Sequence, residues 1–137
     1  MKFIFSTSSS DRLNDLWLLI FRVTLSVFLL THGLPKLAIL IEGNGGDFSD
    51  PLGIGNNFSL VLAVLGEVVG PFLIIPGIIT RLASIPALTT MAVAAFMVHG
   101  NDPFNIREMA LLYLVGFLAI LILGPGRYSV DQLIYKK

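Results

Sequence analysis

The chain has 137 residues, of which 55% are hydrophobic and 13% charged; its formal net charge is zero and it has no cysteine. Soluble domains carry about 25% charged residues, so the composition predicts an integral membrane protein, and the length leaves room for a single domain, residues 1–137. The lack of cysteine excludes disulfides, thiolate metal sites and CxxC redox chemistry, and the neutral, scattered charge gives no basis for nucleic-acid binding.

The chain begins with a segment that we do not expect to be cleaved. Its first fifteen residues contain only a three-residue apolar patch, whereas a signal peptide needs an apolar stretch of roughly 7–15 residues. The first long apolar run begins at Leu16 and extends toward Ile41, with Arg22 inside it and the sequence HGLPK at residues 32–36. We expect this run to remain in the protein as its first membrane span.

Four apolar runs predict four transmembrane helices. A spanning helix needs about 20 mostly apolar residues, and none of the runs alternates apolar and polar residues as a membrane β-strand would. The turn from Pro76 to Arg81 is tight, so the second and third spans should form an antiparallel hairpin. The fold class is therefore all-α, an integral membrane four-helix bundle. Its predicted spans cover approximately residues 16–38, 58–79, 82–100 and 106–124.

Small residues indicate where helices approach closely. Gly66 and Gly70 form a GxxxG pattern in the second span, and Ala83 and Ala87 repeat the spacing in the third. Such residues allow helix backbones to come near each other, either within one monomer or between monomers. Glu67 lies inside the GxxxG pattern, so its carboxylate should point into the bundle.

The distribution of lysine and arginine predicts the orientation. Cytoplasmic flanks of membrane helices are enriched in these residues, and here most of them lie on the side of the termini. Both termini should therefore be cytoplasmic, and the glycine- and aspartate-rich loop over residues 42–57 should be external. The basic residues on the side of the termini are Lys2, Arg12, Arg81, Arg127, Lys136 and Lys137.

Ionisable residues lie inside or at the edge of every span. A charge within a membrane is costly and is a functional-site hypothesis by default. A helical rise of 1.5 Å per residue predicts two layers. The outer layer contains His32, Lys36, His99 and Glu108. Arg22 and Glu67 lie deeper, where we expect an ion pair.

Each residue also has a structural explanation. The pair of Arg22 with Glu67 is expected to hold two helices together, since removing one partner would strand the other charge. Lys36 would extend to lipid headgroups, His99 would end the third helix, and Glu108 would stabilise a helix N-terminus. Convergence of four such residues at one level favours a shared polar pocket over four separate explanations.

The residue types favour a polar substrate over a metal. Two histidines and two carboxylates suit a first-row metal in a helix bundle, but the ExxH pair of di-iron bundles is missing and Lys36 would repel a cation. We therefore predict no metal and a pocket for a quinone headgroup, a sulfur oxyanion or another small polar substrate. The predicted catalytic residues are His32, Lys36, His99 and Glu108, and the predicted cofactor-binding residues are Glu67 and Arg22.

The order of these residues resembles the DoxX family of small four-helix membrane proteins over about residues 16–131. The resemblance implies a multi-pass protein of the bacterial inner membrane, and relatives include the membrane subunit of a thiosulfate:quinone oxidoreductase. The matching residues are 21–23 (FRV), 32–36 (HGLPK), Glu67 with Gly70, 80–82 (TRL), His99, Glu108 and 124–129 (GPGRYS).

Two functions remain open. The first is a membrane component of an oxidoreductase system, with a quinone as the expected cofactor or substrate. Because the sequence has no GxGxxG and no CxxCH pattern, electrons would come from the substrate, the quinone or a soluble or membrane-bound partner subunit. The alternative is a non-catalytic transporter of small molecules or lipids, or a membrane assembly partner for soluble enzymes. Besides the lipid bilayer, a second copy of the chain is an expected partner.

Overall fold

Four long helices dominate the computed structural model, which describes residues 10–136. Each is long and apolar enough to cross a membrane, and the described residues contain no strand, which confirms the all-α four-helix membrane bundle. The N-terminal segment that we predict to remain uncleaved begins outside this range. Lys2 and Lys137, two of the basic residues that predict the orientation, also lie outside it. The helices are α1 (Asp11–Ile41), α2 (Asn56–Ile74), α3 (Thr80–Val98), α4 (Phe104–Leu123) and the short α5 (Val130–Tyr135).

Helix α1 is longer than the sequence indicated. It begins after Ser10, whose hydroxyl accepts a hydrogen bond from the N–H of Leu13 at 3.3 Å, and continues for 31 residues. That corresponds to about 46 Å, more than the ~30 Å of bilayer hydrocarbon. Pro35 removes one backbone donor but does not end the helix, which runs on to Ile41. We expected Lys36 at the end of this helix, but it lies more than one turn inside it.

The connection between α2 and α3 is tied down by the C-terminal segment. Helix α2 ends at Ile74 and not near residue 79, and Gly77 and Ile79 both take positive φ in the turn that follows. Asp131 accepts hydrogen bonds from the N–H groups of Ile79 (2.6 Å) and Thr80 (2.8 Å) and from the Thr80 hydroxyl (2.8 Å). A carboxylate from the far end of the chain thus caps the first turn of α3.

The hydrogen bonds to Asp131 make this cap sensitive to acid. Burial by itself would raise the pKa of the Asp131 carboxyl, but the bonds from Thr80 and Ile79, together with the charge of Arg22, hold the pKa below its ordinary value of 3.8. A carboxyl with a lowered pKa stabilises the fold above its ordinary pKa. The stabilisation is lost as the pH falls below 3.8 and through the lowered value.

The GxxxG face of α2 is used within the monomer. A Cβ atom on Gly66 would lie 2.7 Å from the carbonyl oxygen of Pro86 and would also collide with the Thr90 hydroxyl, and one on Gly70 would lie 2.9 Å from the carbonyl oxygen of Ala83. These partners are all on α3, so the two small-residue patterns face each other. The side chain of Glu67, which follows Gly66, is buried in the bundle, as the sequence predicts.

The loop between α1 and α2, which the charge distribution predicts to be external and which we call the external loop, is folded back onto the start of α2. The Asp50 carboxylate accepts hydrogen bonds from the Ser59 hydroxyl (2.7 Å) and from the N–H groups of Gly55 (2.8 Å) and Ile54 (3.1 Å). These bonds, that from Ser59 first, lower the pKa of the Asp50 carboxyl. The loop is thereby held as an ordered cover on the outer end of the bundle.

Candidate functional site

An ion pair between Lys36 of α1 and Glu67 of α2 lies at the centre of the candidate site. Glu67 is only 2% exposed, whereas the Lys36 side chain is 30% exposed. One Glu67 oxygen, Oε1, accepts from the ammonium; the other, Oε2, is buried and accepts no hydrogen bond from the described part of the chain. The predicted pairing of Glu67 with Arg22 is therefore wrong.

Arg22 lies at the opposite end of the bundle and binds the C-terminal segment. Its guanidinium donates to the carbonyl oxygens of Pro125 and of Tyr128, the latter at 2.5 Å. Lys36 follows Arg22 by 14 residues, about 21 Å along the same helix, so one carboxylate cannot reach both. Arg22 lines neither cavity of the candidate site, which argues against the predicted cofactor-binding role.

Two cavities meet at the ion pair. The smaller has a volume of about 170 Å³ and lies among α1, α3 and α4. The larger, about 500 Å³, lies between α2 and α3 beneath the external loop. Lys36, Glu67 and His99 line both of them, so these three side chains form a polar boundary between the two chambers.

The histidines occupy different positions at this boundary. His99 follows the last turn of α3, and its Nδ1 lies 2.7 Å from the Asp102 carboxylate. His32 is exposed on α1 and lines only the smaller cavity, where its ring meets Tyr113 edge-on at a centroid distance of 5.9 Å. His99 is thus oriented by a carboxylate, whereas His32 is placed by an aromatic contact.

Glu108 does not join the site. It is exposed and lines neither cavity. The face of α4 that lines the smaller cavity carries Ile106, Ala110 and Tyr113, a spacing of four and three residues that marks one side of a helix. Glu108 is two positions from both Ile106 and Ala110, about 200° around the axis, so it points away from the cavity.

Irregular turns in α2 and α3 place two of the site residues. A wide π-helical turn over Leu65–Val69 contains Glu67, and a second one over Ala94–Val98 directly precedes His99. Such turns are rare and occur frequently at functional sites. An extra residue in the turn rotates the following side chains relative to an unbroken helix, so the two bulges set the directions of Glu67 and His99.

Sequence reasoning missed two residues of the site. Asp102 contacts His99, and its sequence signal is the spacing of three residues between them. Tyr113 lines the smaller cavity with its side chain largely buried, and the apolar stripe of α4 that contains it was the available signal. Over residues 10–136 no group of three or more histidine, cysteine, aspartate or glutamate side chains is arranged to hold a metal ion.

Gly33 permits the approach of α1 and α2 at the ion pair. A Cβ atom at this position would lie 2.5 Å from the carbonyl oxygen of Glu67 and 2.7 Å from a methyl group of Val68. The nearest of these atoms belongs to backbone, which cannot turn aside as a flexible side chain does. The glycine of the HGLPK sequence therefore has a packing role, one turn before Lys36.

Gly33→Ala is expected to destabilise the bundle by about 1–3 kcal/mol, because overpacking forces the two helix backbones apart. Unfolding of the purified protein in detergent, followed by circular dichroism, measures the effect. Gly46→Ala is the matched control, since a Cβ atom at Gly46 would have no neighbour within 4 Å. Equal stability of the two variants would contradict this packing role.

Comparison with known proteins identifies the family. The family model described as DoxX matches residues 17–100, more than half of the chain. The chain belongs to the DoxX family. As a DoxX protein it shares 29% identity over 132 residues with the inner membrane protein YqjF of Escherichia coli K12, covering 92% of this chain and 98% of the relative.

Two further relatives come from Haemophilus influenzae Rd, and both are described only as uncharacterized proteins. One is 31% identical over 137 residues, covering 93% of this chain and 97% of the relative. The other is 30% identical over 79 residues, covering 55% of this chain and 52% of the relative. No solved structure matches the chain. The four apolar helices and the family place this DoxX protein in the inner membrane as a multi-pass protein.

Proposed function

We propose that this DoxX protein is the membrane component of an oxidoreductase system and binds a quinone headgroup, or a comparably small polar substrate, at the boundary of the two cavities. The observation that carries the proposal is the buried Oε2 of Glu67, which lies beside the Lys36 ammonium and has no hydrogen-bond partner among residues 10–136. A buried polar atom without a partner is costly. A ligand that donates a hydrogen bond to Oε2 would remove that cost.

The pair offers complementary groups to the two redox forms of a quinone. The Lys36 ammonium is a donor for a quinone carbonyl oxygen, and the Glu67 carboxylate is an acceptor for a quinol hydroxyl. Reduction of the quinone to the quinol takes up two electrons and two protons. The proposed electron source is a separate partner subunit, because the chain itself has none of the cofactor motifs considered above. Cross-linking in native membranes, followed by copurification of a cofactor-containing subunit, tests that partner.

His99 is the proposed proton carrier of the site. It lines both cavities, and its side chain and that of Asp102 are 38% and 43% exposed, so the pair connects the cavities with the outer surface of the bundle. When Nδ1–H donates to a carboxylate, Nε2 is the nitrogen left to exchange a proton. This side of the membrane is external if the termini are cytoplasmic, as the charge distribution predicts.

The packing below the ion pair favours a binding site over a transport path. The core between Glu67 and Arg22 contains the fully buried, apolar residues Leu29, Phe117 and Ile120. A transporter of polar molecules needs polar side chains through the inner half of the bundle. Arg22, the buried charge there, is bound to backbone carbonyls, and the other buried polar side chains of the spanning helices in that half are hydroxyls, those of Ser26, Thr80 and Ser84.

Binding of a benzoquinone without an apolar chain, measured in its oxidised form and as the quinol that can donate to Oε2 of Glu67, tests the proposal directly. We expect the purified protein to bind it, and His99→Gln to weaken binding about tenfold, as expected when one hydrogen-bond partner of a bound polar group is lost. Glu108→Gln is the matched control, because Glu108 lies outside both cavities, and it should leave the affinity unchanged. Equilibrium dialysis gives the affinities. The absence of binding, or equal effects of the two substitutions, would overturn the assignment.

Asp102→Asn is expected to weaken quinone binding about threefold, since an ionised partner makes a hydrogen bond to His99 roughly twice as strong as a neutral one does. Equilibrium dialysis compares the affinity of the variant with that of the unaltered protein. Asp47→Asn, in the exposed external loop, serves as control. An unchanged affinity would limit Asp102 to a structural role at the end of α3.

A further inference from the structure

We propose that the larger cavity holds the apolar chain of a membrane-borne amphiphile whose polar head occupies the Lys36–Glu67–His99 boundary. The inference rests on the proposed function and narrows it, because it selects a lipid-soluble ligand over a water-soluble sulfur oxyanion or another free polar solute. The volume of about 500 Å³ falls within the ~300–1,000 Å³ of typical small-molecule sites.

The polarity of the lining is divided along the cavity. Its charged or titratable side chains are Lys36, Glu67 and His99, and all three lie at the boundary with the smaller cavity. The remainder of the wall consists of aliphatic, aromatic and proline side chains with four hydroxyl-bearing residues. Two of these hydroxyls already donate hydrogen bonds within the protein, that of Ser59 to Asp50 and that of Thr89 to the carbonyl oxygen of Ile85, so the wall suits an apolar chain better than a polar solute. The cavity therefore matches a molecule with one polar end.

The cavity opens sideways, toward lipid. Leu65 on α2 and Ile85, Thr89 and Val98 on α3 line it and are also exposed on the outside of the bundle. All four belong to membrane-spanning helices, so the gap between α2 and α3 faces bilayer hydrocarbon. A ligand dissolved in the membrane would reach the ion pair through this gap without crossing an aqueous phase.

The outer end of the same cavity is covered. Phe48, Ser49, Pro51 and Leu52 of the external loop line it from above, and the three hydrogen bonds to Asp50 hold that loop in place. Direct entry from water at this end is therefore obstructed. An open lipid side and a covered aqueous side together favour entry of the ligand from the membrane.

The geometry favours one chain and a small head. The smaller cavity, about 170 Å³, leaves little room beyond a single compact polar group, and the larger cavity is one chamber with one polar end. An ordinary phospholipid has two chains and a phosphodiester head, which would place a negative charge against Glu67. The proposed ligand is a single-chain amphiphile with hydroxyl or carbonyl oxygens at its head.

Photolabelling in lipid nanodiscs tests the cavity. The probe is a benzoquinone with a decyl chain that carries a terminal diazirine, and the expected labels fall on lining residues of α2 and α3. Val93→Trp fills the cavity and should reduce this labelling about fivefold, because added bulk excludes a close-packed occupant. Val115→Trp, on the exposed face of α4, is the matched control and should label like the unaltered protein. Thr89→Phe, at the exposed rim, repeats the test if Val93→Trp does not fold.

Two further probes separate this inference from the proposed function. A chainless benzoquinone should bind Val93→Trp within about twofold of the unaltered protein, since its head does not enter the filled region. A decyl alcohol with the same diazirine reports the chain without the head. Labelling of the cavity by the alcohol with no binding of the chainless quinone would support the chain site and overturn the quinone assignment.

The opposite results would overturn the chain site. In one such result, the chainless quinone binds and His99→Gln weakens the binding, but the decyl labels are spread over lipid-facing residues. This result would leave the proposed function intact and refute the cavity as a chain site. Labelling that Val93→Trp and Thr89→Phe leave unchanged would refute it as well. A phospholipid retained in the cavity by native mass spectrometry, and not displaced by the decyl probe, would identify bilayer lipid as the occupant and refute the proposal.

Discussion

Lys36→Met is expected to destabilise the bundle more than Glu67→Gln, although the two residues form one ion pair. Glu67 is 2% exposed and Lys36 30% exposed, so the two substitutions leave different groups behind. Lys36→Met strands a carboxylate in the core, which costs about 3–5 kcal/mol for a fully buried charge. Glu67→Gln leaves an ammonium on a flexible stem that extends toward the surface, and we expect about 1–2 kcal/mol.

The double variant Lys36→Met with Glu67→Gln is the decisive comparison. With both charges gone, no isolated ion remains in the core, so the double variant should be more stable than Lys36→Met alone. The resulting coupling energy is expected to be about 1–3 kcal/mol. Reversible unfolding in mixed detergent, with Lys136→Met as an exposed control, gives all the values. Additive effects of the two single substitutions would show that the ion pair contributes no coupling.

The sequence was sufficient to predict the bundle because membrane insertion depends on apolarity, which is a property of each residue. The four spans follow from apolarity, and the small residues Gly66 and Gly70 predicted the close helix contact and the burial of Glu67. The ends of the helices were predicted less accurately. Leu16 looked like the start of the first span because it begins the apolar run, but α1 begins at Asp11, where Ser10 provides a local cap. Capping is a hydrogen-bonding property that hydropathy does not register.

The partner of Glu67 was missed because depth was counted from assumed helix ends. Arg22 and Lys36 lie about 21 Å apart along α1, and a count of residues within each helix does not determine how far α1 and α2 are offset along the axis of the bundle. Glu108 was misplaced for a different reason. Its depth was considered but not its direction, and direction followed from the stripe that contains Ala110 and Tyr113.

Other features of the site had no signal in the sequence. The π-helical turns at Leu65–Val69 and Ala94–Val98 share no residue pattern: the first contains Gly66 and Glu67, whereas the second consists of apolar residues alone. The cap that Asp131 places on α3 joins residues more than fifty positions apart. Contacts of this kind depend on the tertiary arrangement, so no local pattern of residues predicts them.

Arg22→Lys is expected to loosen the inner end of the bundle by about 2–4 kcal/mol, although it preserves the charge. The guanidinium donates to two carbonyl oxygens, those of Pro125 and Tyr128, from two different nitrogens. A single ammonium lacks the planar fork that reaches both positions, and a partly buried carbonyl that loses its donor costs about 1–3 kcal/mol. A cation that no longer fits its site in the core adds to that cost. The C-terminal segment from Gly124 should detach first, and with it the cap of Asp131 on α3.

Limited proteolysis and unfolding measure the two parts of this prediction. Arg22→Lys should make the segment after Gly124 cleavable and lower the free energy of unfolding, whereas Arg12→Lys, at an exposed position in the first turn of α1, should do neither. Because Arg22 lines neither cavity, the variant that still folds should bind the chainless benzoquinone with unchanged affinity. If the fully folded Arg22→Lys variant instead bound the benzoquinone more weakly, Arg22 would belong to the ligand site. Unchanged proteolysis would show that the C-terminal segment is held by contacts other than the two carbonyl bonds.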